Sequence, residues 1–244
     1  MKLLLLSNST APGHAYLEHA REAIARHLAG VRELLFVPYA LADHDGYTGK
    51  VAAFMAELGI AVRGVHTGDP RRLAADAQAV FTGGGNSFRL LRALHTTGLV
   101  EALRDRVAAG APYMGSSAGT NMACPTLRTT NDMPIVQPPS FEALALVPFQ
   151  INPHYLDPAA ESAHMGETRE ERLTQFLEEN AVPVLGLREG TWLVREDDRL
   201  ELAGVAAGAR LFRRGAAPEE YGPGTDLSEL LTAPARFDVG PATA

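Results

Sequence analysis

The sequence predicts an α/β protein built on a doubly wound, mostly parallel sheet. Three observations predict it. Short apolar runs alternate with segments of helical spacing through the first half of the chain. Those runs are continuously apolar, as strands buried on both faces require. Two small-residue turns, residues 83–85 and 115–119, each lie between such a run and a helix-forming segment, at the strand ends where sheets of this kind bind ligands. At 244 residues the chain can bury a full core. One domain over residues 1–215, followed by a Pro/Gly-rich tail over 216–244, is the expected organisation.

The elements follow in order. Residues 3–6 are four leucines and read as a buried strand. Residues 16–28 place Tyr16, Leu17, Ala20, Ile24 and Leu28 at helical spacing. Residues 34–37 are a second run, and 48–58 a helix stopped by Gly59. Runs at 60–65 and 79–82 come next. Asn86 is a good N-cap for a helix over 87–94, and a further helix covers 99–109. A strand at 113–115 leads into the small-residue turn and a helix-forming stretch at 120–124. The pattern then breaks. Residues 125–148, rich in Pro, Thr and Asn, read as long loops, which in a compact domain usually carry function. An apolar run at 149–152 precedes a helix over 167–179, where Arg172, Leu173, Phe176 and Leu177 set a stripe. Strands are expected at 182–187, 191–195, 200–202 and 210–212, with a hairpin turn at 196–198. The tail is expected to be poorly ordered or to lie over the surface.

Composition narrows the function. The chain is 46% hydrophobic and 21% charged, with a net charge of −7. It has no Lys/Arg cluster to meet phosphates, so a nucleic-acid partner is excluded. A single cysteine, Cys124, excludes an intramolecular disulfide and suits a reducing compartment. The leucines at 3–6 are too short for a signal peptide, and no segment reads as a membrane span. A cytoplasmic protein is expected. Histidine and cysteine spacing gives no metal site, and no cofactor is expected.

The chemistry centres on Ser117. Strand, tight turn and helix with a serine at the apex is the pattern of a nucleophile elbow. The backbone there is strained, the flanking residues must be small, and the Ala118 N–H at the helix start is free to receive an oxyanion. The three glycines at 83–85 offer a second such N–H. A serine hydroxyl needs a histidine base and an acid to orient it. His154, closing the run 149–152, should lie at a strand's carboxyl end. His164 is the second candidate, and the other histidines read as surface residues. For the acid, Asp132 in the loop is the first candidate, with Glu142 and Asp157 as competitors. Cys124 reads as a small buried residue.

Taken together, the stretches 3–10, 83–86, 115–119, 124–135, 150–154 and 166–169 resemble the peptidase E family of α-aspartyl dipeptidases, over nearly all of the chain to about residue 212. The resemblance implies the fold of class I glutamine amidotransferases, which is flavodoxin-like, with a C-terminal β-hairpin region. It implies a cytoplasmic serine peptidase that cleaves dipeptides and some short peptides bearing an unblocked N-terminal aspartate. On the matching positions Ser117 is the nucleophile, His154 the base and Asp132 the acid, and Gly85 with Ala118 forms the oxyanion hole. The aspartyl carboxylate then asks for an Arg fork, for which Arg128 and Arg169 stand in matching stretches. The α-ammonium asks for an acceptor among Asn86, Glu167 and Glu170. A homodimer is also implied. One departure stands beside the nucleophile, where the family commonly has tryptophan and this chain has Ser116. Two other readings are a hydrolase of another aspartyl compound, cyanophycinase-like, and a non-catalytic amino-acid-binding protein of the same fold.

Overall fold

The computed structural model describes residues 1–158, 166–205 and 207–240. Strand β1 (Lys2–Leu6) is the hub of a seven-stranded sheet. Its leucines 3–6 are fully buried, each worth about 1.5–3 kcal/mol of transfer free energy. Leu3 and Leu5 fall in the apolar cluster on one face, Leu4 and Leu6 in that on the other. This two-sided burial is why the run is continuous rather than alternating.

The chain continues through a 3₁₀ turn (Glu18–Ala20) and α1 (Arg21–His27), β2 (Glu33–Val37), α2 (His44–Ala56), β3 (Ala61–Gly64), α3 (Pro70–Asp76), β4 (Val80–Thr82), α4 (Ser87–Thr96), α5 (Leu99–Ala108) and β5 (Tyr113–Ser116). Strands β3, β2, β4, β5 and β1 lie side by side in parallel. Helices α1 and α2 cover one face, burying Ile24, Val51, Phe54 and Met55. Helices α4 and α5 cover the other, through Leu90, Leu91, Leu94, Leu103 and Val107. Two helix starts differ from expectation because of caps. Asp43 accepts the Gly46 N–H and begins α2 four residues before its apolar pattern, and Asp69 with Pro70 starts α3, which has too little apolar periodicity to read.

After β5 come α6 (Ala118–Met122), β6 (Gln150–Pro153), α7 (Arg169–Glu179), β7 (Val184–Leu187), β8 (Thr191–Glu196), β9 (Arg199–Gly204), β10 (Ala209–Phe212) and β11 (Glu219–Tyr221). The hairpin β8–β9 extends the large sheet antiparallel to β1. The remaining strands form a second sheet in the order β11-β10-β7-β6, in which β6 and β7 are parallel. The expectation of one sheet misses this division, since apolar runs do not say which strand pairs with which. Beyond Gly215 the chain adds β11 to the second sheet, and it buries Leu227 and Leu230 against the main core. The loops at 125–148 are irregular but anchored, with Arg104 holding the Ala143 and Leu144 carbonyls. No helix among the described residues is long and apolar enough to cross a membrane.

Candidate active site

Ser117 stands between β5 and α6 with φ 54° and ψ −111°, a backbone conformation that L-residues rarely hold. Its own N–H and the Thr120 hydroxyl both donate to the Leu6 carbonyl, at 3.1 and 2.6 Å. The turn is therefore pinned to the neighbouring strand. Gly119 is obligatory: a Cβ there would meet the Thr82 carbonyl oxygen at 1.9 Å.

The base comes from the other sheet. His154 follows β6 with φ 53°, and its Nε2 lies 2.9 Å from Ser117 Oγ. Its Nδ1 lies 2.6 Å from Glu189 Oε1. A carboxylate only accepts, so Nδ1 carries the proton and Nε2 is left to accept from the serine hydroxyl. That is the tautomer a general base needs. The parallel register explains the meeting. Pro153 pairs with Leu187, so the residues just beyond the two strand ends, His154 and Glu189, project from one edge. Ser7 clamps those ends together, accepting the His154 N–H at 2.9 Å and donating to the Leu187 carbonyl at 2.9 Å. Asn8 accepts the Gly190 N–H at 2.8 Å and holds the glutamate turn.

Asp132 is placed differently from expectation. One of its oxygens accepts from the Ser87 N–H and hydroxyl, at 2.6 and 2.5 Å, at the start of α4. It lines the same cavity as Ser117, but the acid on His154 is Glu189. Orientation of the base by Asp132 is thus corrected: the loop is tied to the start of α4, and among the described residues no hydrogen bond joins its carboxylate to the His154 ring. Of the competitors, Asp157 is bound by Arg188 at 2.6 Å, which holds its carboxyl below the usual range. The Glu142 side chain is exposed, and its carbonyl accepts from His95. His164 lies outside the described residues.

Sequence reasoning passed over Glu189. The signal that found His154, a polar residue just past an apolar run, was present there too, after residues 182–187 and before Gly190.

The N–H groups of Gly85 and Ala118 engage no acceptor among the described residues, whereas the Gly84 N–H is held by the Tyr47 hydroxyl at 2.9 Å. Gly85 has φ 133°, and a side chain there would strike the Ala40 carbonyl. Both free amides border the nucleophile's turn, where an oxyanion would form.

The candidate substrate residues separate. Arg128 forms a bidentate pair with Asp238, at 2.6 and 3.0 Å, and stacks on Phe237, so it is committed away from the cavity. Glu167 accepts from Gln175 at 3.0 Å and lies 3.6 Å from Arg172 on the surface of α7. Glu170 pairs with Arg210 at 3.1 Å. Asn86 caps α4 through Arg89 and donates to the Met133 carbonyl, fixing the loop that carries Asp132. Arg169 alone of the two arginines has no carboxylate paired with it among the described residues. Burial and the neighbouring Arg172 lower its pKa, while the Asp132 charge opposes them. The Cys124 thiol is fully buried and pushed up to about 12 by that burial, so it carries no thiolate. Among the described residues no three His, Cys, Asp or Glu side chains are arranged to hold a metal ion.

Comparison with known proteins finds relatives along nearly the whole chain. The profile described as "Peptidase family S51" matches residues 3–203. The protein named "Peptidase E" from Streptomyces coelicolor is 65% identical over 241 residues, which cover 98% of this chain and 99% of that one. The Drosophila melanogaster protein named "Probable alpha-aspartyl dipeptidase" is 52% identical over 233 residues, 94% of this chain and 97% of that one. Among solved structures, a peptidase from an acI-B1 actinobacterium superposes with a TM-score of 0.64 at 16% identity, covering 93% of this chain and 96% of that one. That last likeness concerns the fold.

Proposed function

This chain belongs to peptidase family S51, and we propose that it is a serine exopeptidase releasing N-terminal aspartate from dipeptides. The observation that carries the reading is the line Ser117 Oγ, His154 Nε2, His154 Nδ1, Glu189 Oε1, with contacts of 2.9 and 2.6 Å, beneath two unengaged amides. His154 takes the Ser117 proton as the hydroxyl attacks the Asp–X carbonyl. The N–H groups of Gly85 and Ala118 hold the tetrahedral oxyanion, and Glu189 stabilises the imidazolium. His154 then protonates the departing amine, and water, deprotonated by the same nitrogen, hydrolyses the aspartyl ester on Ser117.

The acyl residue is read onto the α4 side of the cavity. The Asp132 oxygen not engaged by Ser87 is read as the acceptor of the α-ammonium. Arg169, within electrostatic reach of Asp132, supplies a fork for the aspartyl side chain. The names of the relatives support aspartate as the acyl residue, and the single cysteine supports a cytoplasmic site of action. Hydrolysis of aspartyl-leucine by wild type and Ser117→Ala tests the proposal. The variant is expected to lose about six orders of magnitude in kcat. Turnover unchanged by the substitution would overturn the assignment, as would wild-type cleavage of alanyl-leucine as readily as aspartyl-leucine.

A further inference from the structure

The cavity over Ser117, about 610 Å³, has a second wall that the reaction above does not use. Asp43, Gly46, Tyr47 and Lys50 all line it, at the spacing i, i+3, i+4, i+7 that puts residues on one face of a helix. Asp43 is the N-cap of α2 and accepts the Gly46 N–H at 2.8 Å. Tyr47 is buried, and its hydroxyl holds the Gly84 N–H. A side chain at Gly84 would begin 3.1 Å from Ser117 Cβ, so this helical face runs up to the nucleophile's own turn.

Lys50 is the ammonium on that face. Its Nζ lies 4.3 Å from the centroid of the Tyr16 ring, which lines the cavity as well. Stacking on an aromatic face restrains a side chain that otherwise samples many rotamers. No carboxylate is paired with Lys50 among the described residues. Asp43 is the one acid on its wall, and one of its oxygens accepts the amide at the start of α2.

The α2 wall holds an ammonium beside the carboxylate of its N-cap, the α4 wall holds the Asp132 carboxylate, and the two belong to opposite faces of the sheet. Tyr47 belongs to the cluster under α1 and α2, and Tyr16 packs against it. Asp132 is fastened to Ser87 at the start of α4, whose leucines lie in the other cluster. Ser117 stands at the strand end between them. A dipeptide has its own two ends, an ammonium on the acyl side of the scissile carbonyl and a carboxylate on the leaving side. With the ammonium toward Asp132, the leaving residue crosses Ser117 toward α2.

We propose that Lys50, held on Tyr16, receives the C-terminal carboxylate of the leaving residue and so selects dipeptides over longer or blocked substrates. This rests on the aspartyl dipeptidase reading above. The carboxylate lies one residue beyond the scissile bond only in a dipeptide, and each added residue carries it further from Lys50.

The test compares aspartyl-leucine with aspartyl-leucinamide, which keeps the aspartyl side chain and the ammonium but lacks the terminal charge. Wild type is expected to favour the acid by about tenfold in kcat/KM, the scale of one partly solvated charge-assisted hydrogen bond. Lys50→Met is expected to remove that preference by raising KM for the acid about tenfold, leaving kcat and the amide unchanged. Lys50→Arg is expected to restore part of it. Equal losses on both substrates would mean that Lys50 serves the aspartyl side chain or the fold, and would overturn the proposal. So would a Lys50→Met enzyme that keeps the wild-type preference. Wild-type enzyme that cleaves alanyl dipeptides equally well refutes the aspartyl reading; wild-type enzyme that shows no preference for the acid over the amide refutes the role of Lys50.

Discussion

The nucleophile and its base are built by opposite means. Ser117 is made locally: one strand, one turn and one short helix, with Gly119 permitting contact with Thr82 and Leu6 accepting two hydrogen bonds. The His154–Glu189 pair is made by assembly. Its members follow different strands and meet because β6 and β7 are parallel and in register at Pro153 and Leu187. Ser7, just past the end of β1 in the other sheet, ties both ends. The elbow's own residues set the nucleophile's backbone, seated on Thr82 and Leu6, whereas the base and its acid exist as a pair only where three segments far apart in sequence assemble.

The largest expected effect breaks the assembled half. Glu189→Gln leaves a hydrogen-bond partner on His154 but permits the wrong tautomer, and kcat is expected to fall by about 10³- to 10⁴-fold with KM little changed. A side chain 40% exposed lets water replace part of its role, which favours the lower end. Asp132→Asn is the matched control. It is expected to raise KM by about tenfold through the lost ammonium partner, with the smaller effect on kcat. Steady-state kinetics on both variants decides between the acids, and the reverse ranking would restore Asp132 as the orienting acid.

A second expectation concerns the strand that carries Ser117. His27 on α1 is buried, and its Nε2–H donates to the Tyr113 carbonyl at the start of β5, 3.0 Å away. Burial, then repulsion from Lys2, lowers its pKa from 6.5 to about 4, partly offset by that hydrogen bond. The unfolded chain binds a proton as pH falls through 6.5, while the folded chain resists until about 4. Stability is therefore full above pH 6.5 and declines across that window, by up to about 3 kcal/mol from this group. Urea unfolding at pH 7, 5.5 and 4 should show a shallower decline for His27→Gln than for wild type. Parallel declines would remove His27 as the cause.

The smallest expected effect lies beside the nucleophile. Ser116 is fully buried and its hydroxyl has no partner among the described residues. It sits in register with Leu6, which pairs in turn with Trp192. Ser116→Ala removes an unsatisfied buried group and is expected to raise stability by about 1 kcal/mol, seen as a higher denaturation midpoint with unchanged kcat. A loss of stability would show that the hydroxyl is satisfied by buried water.

The same contrast explains what was legible in the sequence. The parallel core, the elbow at Ser117 and the strand-end position of His154 could be read because each is a matter of neighbouring residues: continuous apolar runs, small residues at a turn, a polar residue closing a run. Glu189 carries the same local mark, but only the pairing of β6 with β7 assigns it to His154, and apolar runs carry no register. Arg128 and Glu167 looked free because nothing local announces Asp238 or Gln175 as their partners. Asp132 looked like the acid because it lies in a loop of functional character. The loop does line the cavity, but its tie to Ser87 sets which side of the cavity the carboxylate serves.

The parallel β6–β7 register also sets a schedule. As the chain leaves the ribosome, the elbow emerges long before β7 and the turn after it that holds Glu189, and β7 in turn is paired with β10, which comes later still. Arg188, next to the glutamate, is fastened to Asp157 and to Glu220 of β11. The nascent chain thus carries its serine before it can hold the base and its acid in place. Hydrolytic competence waits on assembly of the second sheet.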